Sequence, residues 1–175
     1  MKYKDWLLML LLALPTATYA EDSKDLFAAA MSGKIDRTEA LLVKGVDVNS
    51  KTASGRTALM AASFNGNVKI VKTLLAYGAD VSLADNSGTT ALMDALVFGS
   101  EEIVNLLIAA GADVNAVDKQ NVTVIGRAKK TAHAAIIKIL EKAGAKEKEE
   151  QAISDQQEIS SKPAEKPGTK PPAKK

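Results

Sequence analysis

Glycine recurs at one fixed interval along this chain. Gly45, Gly78, Gly111 and Gly144 stand 33 residues apart, and Gly33, Gly66 and Gly99 keep the same interval. A period of this size does not suit a single irregular core. It predicts a stack of similar units, each burying its apolar side against the next. A stack of that kind leaves a long exposed wall, so the period points to a binding scaffold and away from an enzyme.

Alignment on the glycines gives one partial repeat, residues 22–51, and three full ones, 52–84, 85–117 and 118–145. The central units read alike. Thr57-Ala-Leu-Met-Ala-Ala62 matches Thr90-Ala-Leu-Met-Asp-Ala95, and Gly78-Ala-Asp-Val-Ser82 matches Gly111-Ala-Asp-Val-Asn115. Thr57 and Thr90 sit where a hydroxyl caps the first free amides of a helix. Gly66 and Gly99 stop the first helix of each pair, and Gly78 and Gly111 stop the second in left-handed geometry. Ile70, Val71, Leu74 and Leu75 fall at helical spacing, and Ile103, Val104, Leu107 and Ile108 repeat that face. Ala62, Ala95 and Ala128 let neighbouring helices approach closely.

These motifs resemble the ankyrin repeat, whose signature is a Thr-Pro-Leu-His-x-Ala helix start and a later Gly-Ala-Asp-Val-Asn. The resemblance covers residues 22–145, with Ala58 and Ala91 in place of the family's proline. It implies an all-α ankyrin-repeat solenoid of about four helix-turn-helix repeats with β-turn, hairpin-like loops. It also implies that partners are gripped by loop tips and by the exposed side of the first helices. Carried over by position, the expected partner-binding residues at the loops are Lys51, Ala53, Ser54 and Arg56, then Asn86, Ser87 and Thr89, then Lys119, Gln120 and Val122. From the first helices come Phe64 with Asn65, and Val97 with Phe98. Two of the chain's three phenylalanines thus stand at the groove end of a first helix. They are either exposed anchors for a partner or side chains packed under the following loop.

The ends depart from the pattern as caps should. Arg37-Thr38 replaces the Ile-Val of the central units, and Glu141 replaces Leu75 or Ile108, each expected to face a side with no further repeat. In the last unit Asn121 replaces a turn glycine, Ala132 replaces the glycine between helices, and Gly126-Arg127 weakens the first helix. This end is expected to be the least stable. Tyr77 is read as structural.

Composition narrows the chemistry. A balance of 23 basic against 21 acidic residues does not mark a nucleic-acid binder, and the absence of cysteine removes disulfides, thiolate metal sites and cysteine nucleophiles. His133 is the single histidine, so the common zinc sets are out of reach, and it reads as a capping or solvated residue. Asp94, an acid on an otherwise apolar first helix, reads as solvated at the helix surface, with contact to a partner as the alternative. Glu101-Glu102 favours the positive end of a helix dipole. No phosphate-cradling loop or nucleophile motif occurs, and no cofactor or metal is expected.

Lys2 and Lys4, the apolar run Trp6 to Leu14, Pro15, and the small residues of Thr18-Tyr19-Ala20 have the three-part layout of a secretory signal peptide cleaved after Ala20. The apolar run is far short of the roughly 20 residues that span a bilayer. The expected location is the periplasm, with secretion as the alternative. From Lys146 to Glu158 the chain carries two lysines against five acids, and Ser160 to Lys175 holds five lysines and four prolines. That tail is expected to be disordered, with membrane or cell-wall contact as one use. The expected partner is another protein, bound by a chain that is monomeric when alone. Exported proteins of the resembled family include inhibitors and protective partners of exported enzymes. The resemblance therefore implies restraint of an enzyme such as a cell-wall hydrolase. The alternatives are support of a stress-defence enzyme such as catalase, or tethering to wall or membrane through the tail.

Overall fold

The computed structural model describes residues 16–146. The greater part of the expected signal segment, and all of the expected disordered tail but Lys146, lie outside the described residues. Eight helices fall within them: α1 Thr16–Met31, α2 Ile35–Val43, α3 Ala58–Phe64, α4 Val68–Ala76, α5 Ala91–Ala95, α6 Glu101–Ala109, α7 Val124–Lys130 and α8 Ala134–Lys142. The peptide bond after Ala20, where cleavage is expected, lies inside α1.

The helices form two layers. The first helices α1, α3, α5 and α7 stack in sequence, the second helices α2, α4, α6 and α8 stack behind them, and each first helix packs on its own second helix. Core residues recur with the period. Leu59 and Met60 of α3 and Leu92 and Met93 of α5 are fully enclosed, as are Ile70 and Leu74, Ile103 and Leu107, and Ile136 and Leu140 of the second helices. Ala61, Ala62, Ala95 and Ala128 are also enclosed, so a larger side chain there would wedge the stack apart.

Capping chemistry sets the helix ends. The hydroxyls of Thr57, Thr90 and Thr123 accept from the backbone N–H groups of Met60, Met93 and Gly126 at 3.3, 3.4 and 3.0 Å. Each such cap contributes about 1 kcal/mol. Each second helix ends in a paired C-terminal lock: Gly78 N–H donates to Leu75 O and Ala79 N–H to Leu74 O, both at 3.0 Å, and the same pair recurs at Gly45, Gly111 and Gly144. The lock requires positive φ, which is 82° at Gly78 and 92° at Gly45, Gly111 and Gly144.

Antiparallel bridges Ala84–Thr90 and Val117–Thr123 close the second and third hairpin-like loops. Asn121 takes the turn glycine's place at φ 59°, as the sequence predicts, and Ala132 takes the interhelical glycine's place at φ 58°. Alanine in that conformation is strained by about 1 kcal/mol.

Two expectations need correcting. Thr38 does not face outward: it is fully buried, because its hydroxyl donates to Lys34 O one turn back and hides its polarity inside the helix. Arg37 is exposed and pairs with Asp25 of α1 at 2.7 Å. Val97 and Phe98 are not helical, since α5 ends at Ala95 and Val97 N–H donates three residues back to Asp94 O. α7 runs through Gly126 and Arg127.

Candidate protein-binding face

The first helices and the loop tips make one wall of the stack, and a ladder between repeats holds the tips. Asn86 N–H donates to Ser54 O and Lys119 N–H donates to Ser87 O, each at 3.0 Å. Asn86 Nδ2 adds a bond to Ala53 O at 3.1 Å, and Lys51 Nζ reaches Ala84 O at 3.1 Å. Glycine is needed where the tips touch. A Cβ on Gly55 would lie 2.6 Å from Asn86 Oδ1, and one on Gly88 would lie 3.0 Å from Lys119 N, with φ positive at both. The tips therefore form a pinned edge, unlike independent surface loops.

An aspartate organises the turn in the second and third tips, and Thr52 takes its place in the first, where its hydroxyl accepts from Arg56 N–H at 3.1 Å. Asp85 Oδ1 accepts from the backbone N–H groups of Ser87 and Thr89, and Asp118 Oδ1 accepts from those of Gln120 and Val122, at 2.8–2.9 Å. These bonds tuck Thr89 inward. It is buried and offers nothing to a partner, contrary to expectation. Lys51, Ala53, Ser54, Asn86, Ser87, Lys119 and Gln120 are exposed, and Val122 is half-buried.

Two ion pairs lie beneath the tips. Arg56 Nη2 meets Asp94 Oδ2 at 2.5 Å, and Arg127 Nη2 meets Asp118 Oδ2 at 2.7 Å. Asp94 is not solvated: only 3% of it is exposed. Burial pushes its carboxyl up to about 6, with Asp85 adding to the rise and Arg56 and Arg127 opposing it. At Asp118 burial also pulls upward. There it is outweighed by the bonds from Val122, Arg127 and Gln120, and the carboxyl stays below its usual value.

Arg56 also carries the aromatic part of the wall. Its guanidinium carbon lies over the Phe64 ring, 5.9 Å from the centroid. Phe64 meets Phe98 edge to face with centroids 5.3 Å apart, a favoured arrangement for aromatic pairs. Phe64 is half-buried in this sandwich, whereas Phe98 stays 66% exposed and Val97 37%. Phe64 thus packs within the stack, and Phe98 projects from it. Asn65 caps α3 and donates to Met31 O at 2.5 Å, tying the first unit to the second.

His133 makes no side-chain capping bond. Its ring lies over Gly99, in the space where a Cβ of residue 99 would sit. Tyr77 lies 47% exposed at the end of α4, outside this wall. Among the described residues no cluster of histidine and carboxylate groups has the makings of a metal site, and no helix is long and apolar enough to cross a membrane.

The ion pairs escaped sequence reading because Arg56 and Asp94 are 38 residues apart. A signal was present in the register: Ala61, Asp94 and Arg127 share one repeat position, and a charge there needs a partner, found in the preceding repeat for Asp94 and at the start of its own repeat for Arg127.

No curated protein matches the chain. Ankyrin repeats are generally non-catalytic binding modules. The family model "Ankyrin repeats (3 copies)" matches residues 26–118, more than half of the chain, which therefore belongs to the ankyrin repeat family of protein–protein interaction modules.

Proposed function

We propose that this chain is exported to the periplasm and there binds an exported enzyme, such as a cell-wall hydrolase, and restrains it. The observation that carries the binding reading is Phe98. A phenylalanine two-thirds exposed and held edge to face on Phe64, whose ring lies under Arg56 of a loop, is a preorganised anchor of the kind that dominates interface energies. Export rests on the leader: two lysines, an apolar run and small residues before Glu21. Restraint fits a short array whose pinned tips present a firm edge to a cleft, at little ordering cost on binding.

Capture of partners from envelope extract by the chain and by its Phe98→Ala and Phe64→Ala variants tests the reading. The expected result is one enriched envelope protein, lost with Phe98→Ala and weakened with Phe64→Ala. Full recovery by both variants would exclude the aromatic anchors. Assay of the captured enzyme with and without the chain fixes the sign. Lower activity supports restraint, and higher activity would replace it with a supporting role.

A further inference from the structure

The charges on the inner wall are sorted by direction. In residues 51–66, 84–99 and 117–132 the only carboxylates are Asp85, Asp94 and Asp118. All three are turned inward, onto backbone amides or onto arginine. Among the cations of these segments, Arg56 and Arg127 are taken up in those ion pairs and Lys51 bonds Ala84 O, whereas Lys119 and Lys130 make no such pair. Lys119 stands exposed at a loop tip, and Lys130 stands exposed at the end of α7. Lys130 holds the repeat position that Phe64 and Val97 hold in the two preceding units. Along the stack, that position therefore reads aromatic, aliphatic, cationic, with Phe98 projecting beside it. An arrangement of this kind is complementary to a chain segment with an apolar side chain and carboxylates a few residues apart. The uncompensated lysines would steer such a segment and set its direction.

We propose that the inner wall takes an acidic, extended segment of a partner protein. An apolar side chain seats on Phe98 and Phe64, and carboxylates pair with Lys130 and Lys119. The inference rests on the reading of this wall as the binding surface and adds the chemistry of what it binds. Lys130 and Lys119 set the preference for acid, while Phe98 supplies the contact area.

Selection of a random dodecapeptide library on the full chain tests this. Pools are counter-tested on Phe98→Ala, Lys130→Glu and Lys69→Glu, the last an exposed lysine on α4 outside the wall. Enriched peptides are expected to carry net negative charge and at least one large apolar residue. They should lose at least fivefold in affinity on Phe98→Ala and on Lys130→Glu, and keep it on Lys69→Glu. Enriched neutral or basic peptides that still lose binding on Phe98→Ala would overturn the acidic assignment and leave the binding wall standing. Enrichment indifferent to Phe98→Ala would overturn both, and no enrichment would overturn the peptide-segment assignment. The full chain with Glu147, Glu149 and Glu150 changed to glutamine identifies the remaining occupant. If only that form enriches acidic peptides, the wall's occupant is the chain's own acidic segment, and the assignment to a partner falls.

Discussion

Replacing the Arg56–Asp94 pair by the residues of its sibling repeats separates what the pair does for stability from what it does for the wall. Thr89 holds the repeat position of Arg56 and Ala61 that of Asp94, so Arg56→Thr and Asp94→Ala are substitutions the fold already accommodates elsewhere. Asp94 has a folded-state value of about 6 against an ordinary 3.8. A carboxyl raised in this way favours the folded state when protonated. Its contribution to stability falls as pH rises from 3.8 to 6 and is flat above that. At about 1.4 kcal/mol per unit, the fall amounts to about 3 kcal/mol. Removing Arg56 takes away the main group opposing the rise, so the value climbs further. The added cost through this carboxyl is about zero at pH 5, where both forms are protonated, and reaches at most about 3 kcal/mol at pH 8. Loss of the contact with Phe64 adds about 1 kcal/mol at every pH. The double variant carries no titrating group and no stranded charge, and at pH 7 it should be as stable as the parent or more stable by about 1–3 kcal/mol. Urea unfolding followed by circular dichroism at pH 5, 7 and 8 measures all three variants. An Arg56→Thr cost that is equal at pH 5 and pH 8 would refute the reasoning. So would a double variant less stable than either single one.

Other expectations rest on the repeat register. Asn49 and Asn115 each bridge two repeats: Nδ2 donates to Gly78 O or Gly144 O, and Oδ1 accepts from the N–H of Asp80 or Lys146. Ser82 holds the same position in the middle unit, and its hydroxyl turns back to Asp80 Oδ1 at 2.6 Å instead. Ser82→Asn should complete the ladder and raise stability by about 1 kcal/mol, read as a higher thermal midpoint; an unchanged or lower midpoint would contradict the bridging role. Ala132→Gly relieves the strained φ of 58° at some cost in chain entropy and should stabilise by about 0.5 kcal/mol at most in urea unfolding. Gly88→Ala sets a Cβ against the backbone of Lys119 and Asp118 at positive φ. It should cost about 2 kcal/mol and speed exchange of the Lys119 amide; slow exchange there would show that the tips are not pinned through this contact.

The architecture was legible because its determinants are local and recur. A threonine before α3, α5 and α7 and a glycine after each second helix fix the boundaries, whatever the rest of the chain does. Asn121 was readable as a glycine substitute for the same reason, since left-handed tolerance belongs to the residue itself. What escaped depends on the spacing between repeats. Phe64 and Phe98 are 34 residues apart, as are Gly99 and His133. Both contacts join one unit to a position one residue further along in the next, an offset that only the stacking geometry sets. Thr38 misled because threonine counts as polar in a pattern, although its hydroxyl can be satisfied by its own helix. Thr89 misled because loop position suggests exposure, whereas the Asp85 turn draws it in.

A photo-crosslinking residue placed at position 98, and in a second chain at position 77, tests the binding face most directly when each is illuminated in envelope extract. Both positions hold exposed aromatics in the native chain, one on the inner wall and one at the end of α4. A discrete adduct with one protein from position 98 and none from position 77 is the expected result. An adduct from position 77 alone, or equal adducts from both, would contradict the assignment of the inner wall as the binding face.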